Sequence, residues 1–254
     1  MQSHPVYKGV AFSFHKENYL LNIAEELLTV KAAIKIFLCL FPVLAGAQSQ
    51  FSISTDVSFL HNFDGKQPFT VPGQTVEIQW HPGEKYVLYS YFTYHWNGKY
   101  ASSLEADAKQ PATQPQSFSF KNHSEMTLHH LSIGIKKYLT GSFHNEDRFT
   151  LYVSGGFGLI MGKASNNFSV PVDTSQYTIQ NNIIGGTGRF KRLTFDVSAG
   201  VEYPVGYLVF FFSEARLLIP TTGYPSNYLL KNDNAPLLGS INIGFRILFN
   251  DEKD

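Results

Sequence analysis

The 254-residue sequence carries 20 Lys and Arg against 20 Asp and Glu, and only 16% of its residues are charged, where soluble domains carry about 25%. A neutral chain without a basic stripe lacks the electrostatic footprint of a nucleic-acid-binding protein. Its length fits one domain or two small ones.

In chain order, the first recognisable element is a targeting segment. Residues 31–47, KAAIKIFLCLFPVLAGA, have the layout of a secretory signal. Lys31 and Lys35 form the positive region, residues 36–44 the apolar core, and Ala45-Gly46-Ala47 a small-residue cleavage site ahead of Gln48. The apolar core is far shorter than the roughly 20 residues a helix needs to cross a membrane, and Pro42 argues against a buried core helix. Residues 1–29 precede the signal and are expected to be a mis-called upstream extension, with Val30-Lys31 standing where Met-Lys opens such signals. The organisation expected is therefore extension 1–29, signal peptide 30–47, one domain over 48–249 and a short periplasmic tail at 250–254. Cys39, the one cysteine, lies within the signal, so the mature domain has neither disulfides nor thiolate metal sites.

From Gln48 onward the dominant period is two, the mark of strands with two unlike faces. Alternating segments occur at 51–63, 75–81, 86–96, 126–138, 149–163, 193–203, 208–219 and 238–249. Gaps after the second, fourth and sixth are short, while those at 97–125, 164–192 and 220–237 are long and polar. The gap at 64–74 is intermediate. Short turns alternating with long loops, over an even strand number, predict a closed eight-stranded antiparallel transmembrane β-barrel with short periplasmic turns and long extracellular loops.

Charge placement supports that architecture. Within the predicted strands Asp56, Glu77, Lys136, Asp196, Glu202, Glu214, Arg216 and Arg246 share the face opposite the apolar one. Lys137 falls on the apolar face at the periplasmic end, where its ammonium can reach headgroups. A charge facing lipid at mid-depth costs roughly 2–4 kcal/mol. Tyr86 and Trp96 share one face of the third segment, and their separation along the membrane normal is about 25 Å, the height of an apolar band between aromatic girdles. Tyr94 joins the outer girdle, Tyr203 and Tyr207 the inner one. A secreted soluble barrel of the lipocalin type also alternates, with its apolar face inside. It accounts for the signal and the strand number, but not for the girdle spacing or the loop lengths.

The signal, the eight segments, the glycine-dotted YVSGGFGLIMG (152–162) and the closing INIGFRILF (241–249) together resemble the small outer-membrane β-barrel proteins of Bacteroidetes-type Gram-negative bacteria, in the OmpA/OmpW-like barrel group. The resemblance is architectural and spans about 48–249. It implies residence in the outer membrane after cleavage between Ala47 and Gln48, contact with outer-membrane lipid and lipopolysaccharide, and insertion by the BAM assembly machinery as a monomer. It implies no cofactor and no particular activity. Such barrels often end on the terminal aromatic, whereas here residues 250–254 follow Phe249.

Three readings of the chemistry stay open. The inward charges can form an ion-paired plug, with Glu214 centred between Arg216 and Arg246, or they can line a small pore for ions or solutes. Buried charges must be paired in either case. Third, His123-Ser124-Glu125 with His129, His130 and Ser132 offers the residue types of a lipid A-modifying hydrolase at the barrel rim. Adjacent residues on a strand point to opposite faces, however, which separates His123 from Ser124 and His129 from His130 as metal ligands. In the long gaps, Arg189, Lys191 and Arg192 are placed to meet lipopolysaccharide phosphates. Tyr224 and Tyr228, with Leu229 and Leu230, suggest a packed surface loop. The expected role is structural or in surface interaction rather than enzymatic.

Overall fold

The computed structural model of the protein describes residues 50–144, 148–206, 208–223, 225–231 and 236–249. The upstream extension, the signal and its cleavage site, Tyr207, Tyr224 and the tail at 250–254 lie outside the described residues. Nine strands occur among them: β1 (Gln50–Asn62), β2 (Phe69–His81), β3 (Tyr86–Ala108), β4 (Ser117–Thr140), β5 (Thr150–Phe168), β6 (Tyr177–Ile179), β7 (Gly186–Gly206), β8 (Val209–Pro220) and β9 (Leu238–Phe249). Eight form a ring in the order β2-β1-β9-β8-β7-β5-β4-β3, which the β2–β3 pairing closes. Every pairing is antiparallel. Closure leaves no edge to be covered in lipid. The short strand β6 adds to the far end of β3, with Ala106 opposite Ile179.

The wall is uneven. β3 and β4 have 23 and 24 residues, β5 and β7 have 19 and 21, and the other four ring strands have 12 or 13. The strands reach further into the long-loop end than their sequence periodicity predicts: 97–108, 117–125, 164–168 and 186–192 are all strand. The physical reason is an inversion of the alternation. At membrane level the outward residues are apolar and exposed, among them Ile133, Phe157, Ile243 and Ile247, while the charges lie inside among polar and aromatic residues. Beyond it Lys99, Ser103 and Glu105 face outward, while Tyr100, Leu104 and Ala106 are buried inside. On β3 the register shifts between His95 and Gly98 at the point of change. Pro72 sits on β2 beyond the last β2–β3 partner pair, Gly73↔His95, so its missing N–H removes no bond from that seam.

The interior therefore has three levels. At the short-turn end Val87, Tyr138, Phe143, Tyr152, Phe210 and Leu248 form a small apolar cluster. At the long-loop end a larger core includes Leu60, Leu104, Phe120, Met126, Leu128, Ile160, Phe190 and Leu238. Leu229 and Leu230 of the loop after β8 join it, and that loop is tied down by Ile184 N donating to Asn227 O at 2.9 Å. Between the two clusters lies the charged level.

Candidate functional site

All eight sequence-predicted inward charges are buried, none more than 8% exposed. Strand parity puts them inside, and antiparallel register sets which of them meet. Arg216 Nη2 lies 2.6 Å from Glu214 Oε1 and 3.5 Å from Glu77 Oε2. Lys136 Nζ lies 3.1 Å from Glu77 Oε1 and 3.9 Å from Glu202 Oε1. Arg246 Nη2 lies 2.8 Å from Glu202 Oε2. The chain Glu214–Arg216–Glu77–Lys136–Glu202–Arg246 is thus continuous across five strands and formally neutral. Its cations also stack on rings: Arg216 over Tyr91 at 3.8 Å, Arg246 over Phe210 at 4.1 Å and Lys136 over Tyr152 at 4.5 Å.

One predicted partnership is corrected. Arg246 does not pair with Glu214. The β8–β9 register sets Glu214 opposite Asn242, whose amide donates to it at 3.4 Å, and sets Arg246 opposite Phe210, nearer the short-turn end. Arg246 meets Glu202 of β7 there, and Tyr138 also donates to that carboxylate at 2.8 Å. Arg246 further donates to the carbonyl of Phe143 at 2.7 Å, tying the β4–β5 turn to the network.

Asp196 and Asp56 stand outside this chain. Asp196 accepts from Tyr91 at 3.2 Å and lies 3.4 Å from His130 Nε2, while His130 also contacts Tyr91 and Thr194 at 3.1 and 3.0 Å. Gly158 faces His130 so closely that an added Cβ would collide with the imidazole, which explains one glycine of the fifth strand. Asp56 is in no ion pair among the described residues, and its Oδ1 has no hydrogen-bond partner. Among the inward histidines His130 is a sequence candidate, whereas His81, His95 and the inward tyrosines, Tyr138 among them, are not. Parity is their signal: His81 and Tyr138 share a face with Glu77 and Lys136, while Tyr89, Tyr91 and His95 lie on the face of β3 away from Tyr86, Tyr94 and Trp96.

The hydrolase residues do not converge. His123 and Glu125 point outward, whereas Ser124 is buried and donates to Asn166 Oδ1 at 2.8 Å. Ser132 donates to the carbonyl of Phe157 at 3.1 Å. His129 packs against Phe92 and Tyr94 on the outer wall, away from His130. Buried Ser–His contacts do occur elsewhere, Ser52 with His81 at 2.7 Å and Ser58 with His95 at 3.3 Å. Neither is backed by a carboxylate on the second ring nitrogen among the described residues, as an activated serine requires.

On the outer wall Tyr86, Trp96 and Tyr203 are about half exposed and Tyr94 is partly covered. Lys137 lies over the Tyr86 ring at 5.5 Å. Of the three predicted loop cations, Arg189 and Lys191 are exposed, but Arg192 is 1% exposed and faces inward. Because 186–192 is strand rather than loop, adjacent residues there alternate between faces. Tyr228 is half-buried against the long-loop core.

The sequence matches no protein-family model and no curated protein. Among solved structures, Neisserial surface protein A aligns with a TM-score of 0.50 at 10% identity, over 78% of this chain and 97% of that one. Ail, the attachment invasion locus protein of Yersinia pestis, aligns at 0.44 and 11% identity over 80% of this chain and 100% of that one. The outer membrane protein OprG from Pseudomonas aeruginosa aligns at 0.42 and 12% identity, over 80% and 96%. The likeness is one of fold: an eight-stranded antiparallel barrel of the outer-membrane type.

Proposed function

We propose that the chain is an outer-membrane protein of a Gram-negative bacterium whose barrel is plugged and whose role is structural or in surface recognition at the extracellular, long-loop end. The observation that carries this reading is the neutral six-residue ion chain held between two apolar clusters. An eight-stranded barrel leaves an interior about wide enough for side chains, and a pore lined for ions would leave charges free to solvate a passing one. Here each charge of the chain is committed to a partner inside the wall. A non-enzymatic role is favoured by the placement of Ser124 and Ser132, neither of which is hydrogen-bonded to a histidine among the described residues. The exposed apolar outer wall supports a membrane location, since a soluble surface rarely leaves so large a contiguous patch.

Planar-bilayer recording of the refolded protein tests the plug: the expected result is no unit conductance above the bare membrane. Discrete openings that change with substitution of Arg216 or Glu77 would overturn it in favour of a small pore. Membrane fractionation tests the location separately, with recovery in the outer-membrane fraction as a heat-modifiable band expected.

A further inference from the structure

The outward faces of β5 and β7 are layered. Moving toward the long-loop end, register pairs bring Phe157 opposite Phe195, Leu159 opposite Leu193, Met161 opposite Lys191, Lys163 opposite Arg189, and Ser165 opposite Thr187. Apolar pairs give way to cations, and the cations to hydroxyls. Lys163, Arg189 and Lys191 are all exposed, and none is in an ion pair among the described residues. Like charges directly opposite on a sheet are destabilising, so the Lys163–Arg189 pair costs the isolated wall stability unless an anion sits across it. The contrast lies one side-chain step further out. Glu125, opposite Ser165, is engaged by Lys99 at 3.2 Å, so that cation is already neutralised. Beside the stripe a cleft of about 570 Å³ opens between Arg189 and Lys191 and the loop residues Asn227 and Tyr228.

We propose that the stripe Lys163–Arg189–Lys191 binds the phosphates of a phosphorylated glycolipid of the outer leaflet. Its acyl chains lie along the apolar pairs below, and its sugars lie against Ser165, Thr187 and the cleft above. This rests on the outer-membrane location proposed above. The layering itself selects this ligand: an ordinary phospholipid supplies chains and phosphate but nothing for the hydroxyl-lined level, and a free polyanion supplies nothing for the apolar one. Arg gives planar two-point recognition of phosphate and Lys a mobile point charge.

The test uses the full chain purified in zwitterionic detergent, with binding measured by calorimetry to bis-phosphorylated lipid A, to the same glycolipid stripped of phosphate, to phosphatidylglycerol and to inorganic phosphate. Neutralising K163Q/R189Q/K191Q together is expected to weaken lipid A binding by about fivefold per charge, on the order of 100-fold in all. K99Q leaves it unchanged. The dephosphorylated glycolipid is expected to bind as weakly to the parent protein as lipid A does to the triple variant. An unchanged affinity in the triple variant, while its heat-dependent gel shift shows it folded, overturns the proposal. So does equal affinity for phosphatidylglycerol, which reveals only a generic anionic surface, or for inorganic phosphate, which reveals a small-anion site. Outer-membrane recovery without glycolipid selectivity defeats this inference alone, whereas recovery elsewhere defeats the location on which it rests.

Discussion

The two halves of the barrel solve opposite problems with the same strands. At membrane level lipid surrounds the wall, so apolar residues face outward and the interior is left to the ion chain of Glu77, Lys136, Glu202, Glu214, Arg216 and Arg246. Past the membrane water surrounds the wall, and the interior becomes a conventional apolar core around Leu104, Met126 and Ile160. The lower half is the inside-out arrangement of a transmembrane barrel, and the upper half is the arrangement of a soluble one. The alternative of a lipocalin-like interior, set aside for the chain as a whole, thus describes its long-loop end. What decides the sense of a strand's alternation is the solvent outside it, and a single strand can change sense where that solvent changes.

The largest expected effect comes from breaking the charged level. Arg246→Met leaves Glu202 with the Tyr138 hydroxyl and, as its remaining cation among the described residues, Lys136 at 3.9 Å, and strips a donor from the Phe143 carbonyl. Removing one partner of a buried pair costs about 3–5 kcal/mol, which urea unfolding in lipid vesicles would register. The double variant Arg246→Met/Glu202→Gln is expected to regain most of that loss, because no uncompensated charge remains. A double variant no more stable than the single one would show that packing around Arg246, rather than pairing, carries the level.

In the upper half, Leu104→Ala should cost about 2–5 kcal/mol, but locally. The strand extensions and the loops at 109–116 and 169–176 should become open to protease while the membrane-level barrel keeps its heat-dependent gel shift. Next in size is one substitution made at two heights of the outer wall. Ile243→Lys places a cation against lipid and should cost about 2–4 kcal/mol. Ser103→Lys, outward on the extended part of β3, should stay within about 0.5 kcal/mol. Equal costs at the two positions would place the solvent boundary elsewhere.

Much of the lower half was legible in the sequence because parity is a property of one strand. Segments such as 193–203 and 238–249 show which residues point inward without knowledge of any neighbour. Pairing is a property of two strands and their register, which parity does not contain. That is why parity alone predicts Glu214 as the partner of Arg246, which instead meets Glu202, two strands away in the ring. The upper half has the sequence character of loop for another reason. Its outward Lys, Ser, Asn and Glu make it polar in composition, and its alternation runs in the opposite sense to the membrane segments it continues. The same misreading put Arg192 with the loop cations, since a residue's face is defined only once its segment is known to be strand. His81 and Tyr91 are hidden differently, because uncharged polar residues on an inward face carry no sign to segregate.

The smallest effect sharpens the comparison most cleanly, because geometry is held constant. Lys99 lies 3.2 Å from Glu125 and Lys136 lies 3.1 Å from Glu77, so by distance the two ion pairs are alike. Their side chains differ in exposure, 75% and 48% for the first pair against 4% and 7% for the second. In the exposed pair water already solvates both groups and salt screens them, so Lys99→Gln should cost no more than about 1 kcal/mol and less still at high ionic strength. In the buried pair neither solvation nor screening is available. Lys136→Gln should therefore fall in the same range as Arg246→Met, about 3–5 kcal/mol, and stay there as salt is raised. Unfolding midpoints of the two variants at low and high salt measure both slopes. A salt-dependent loss for Lys136→Gln matching that of Lys99→Gln would mean that bulk water reaches the ion chain, and the plugged lumen would fall with it.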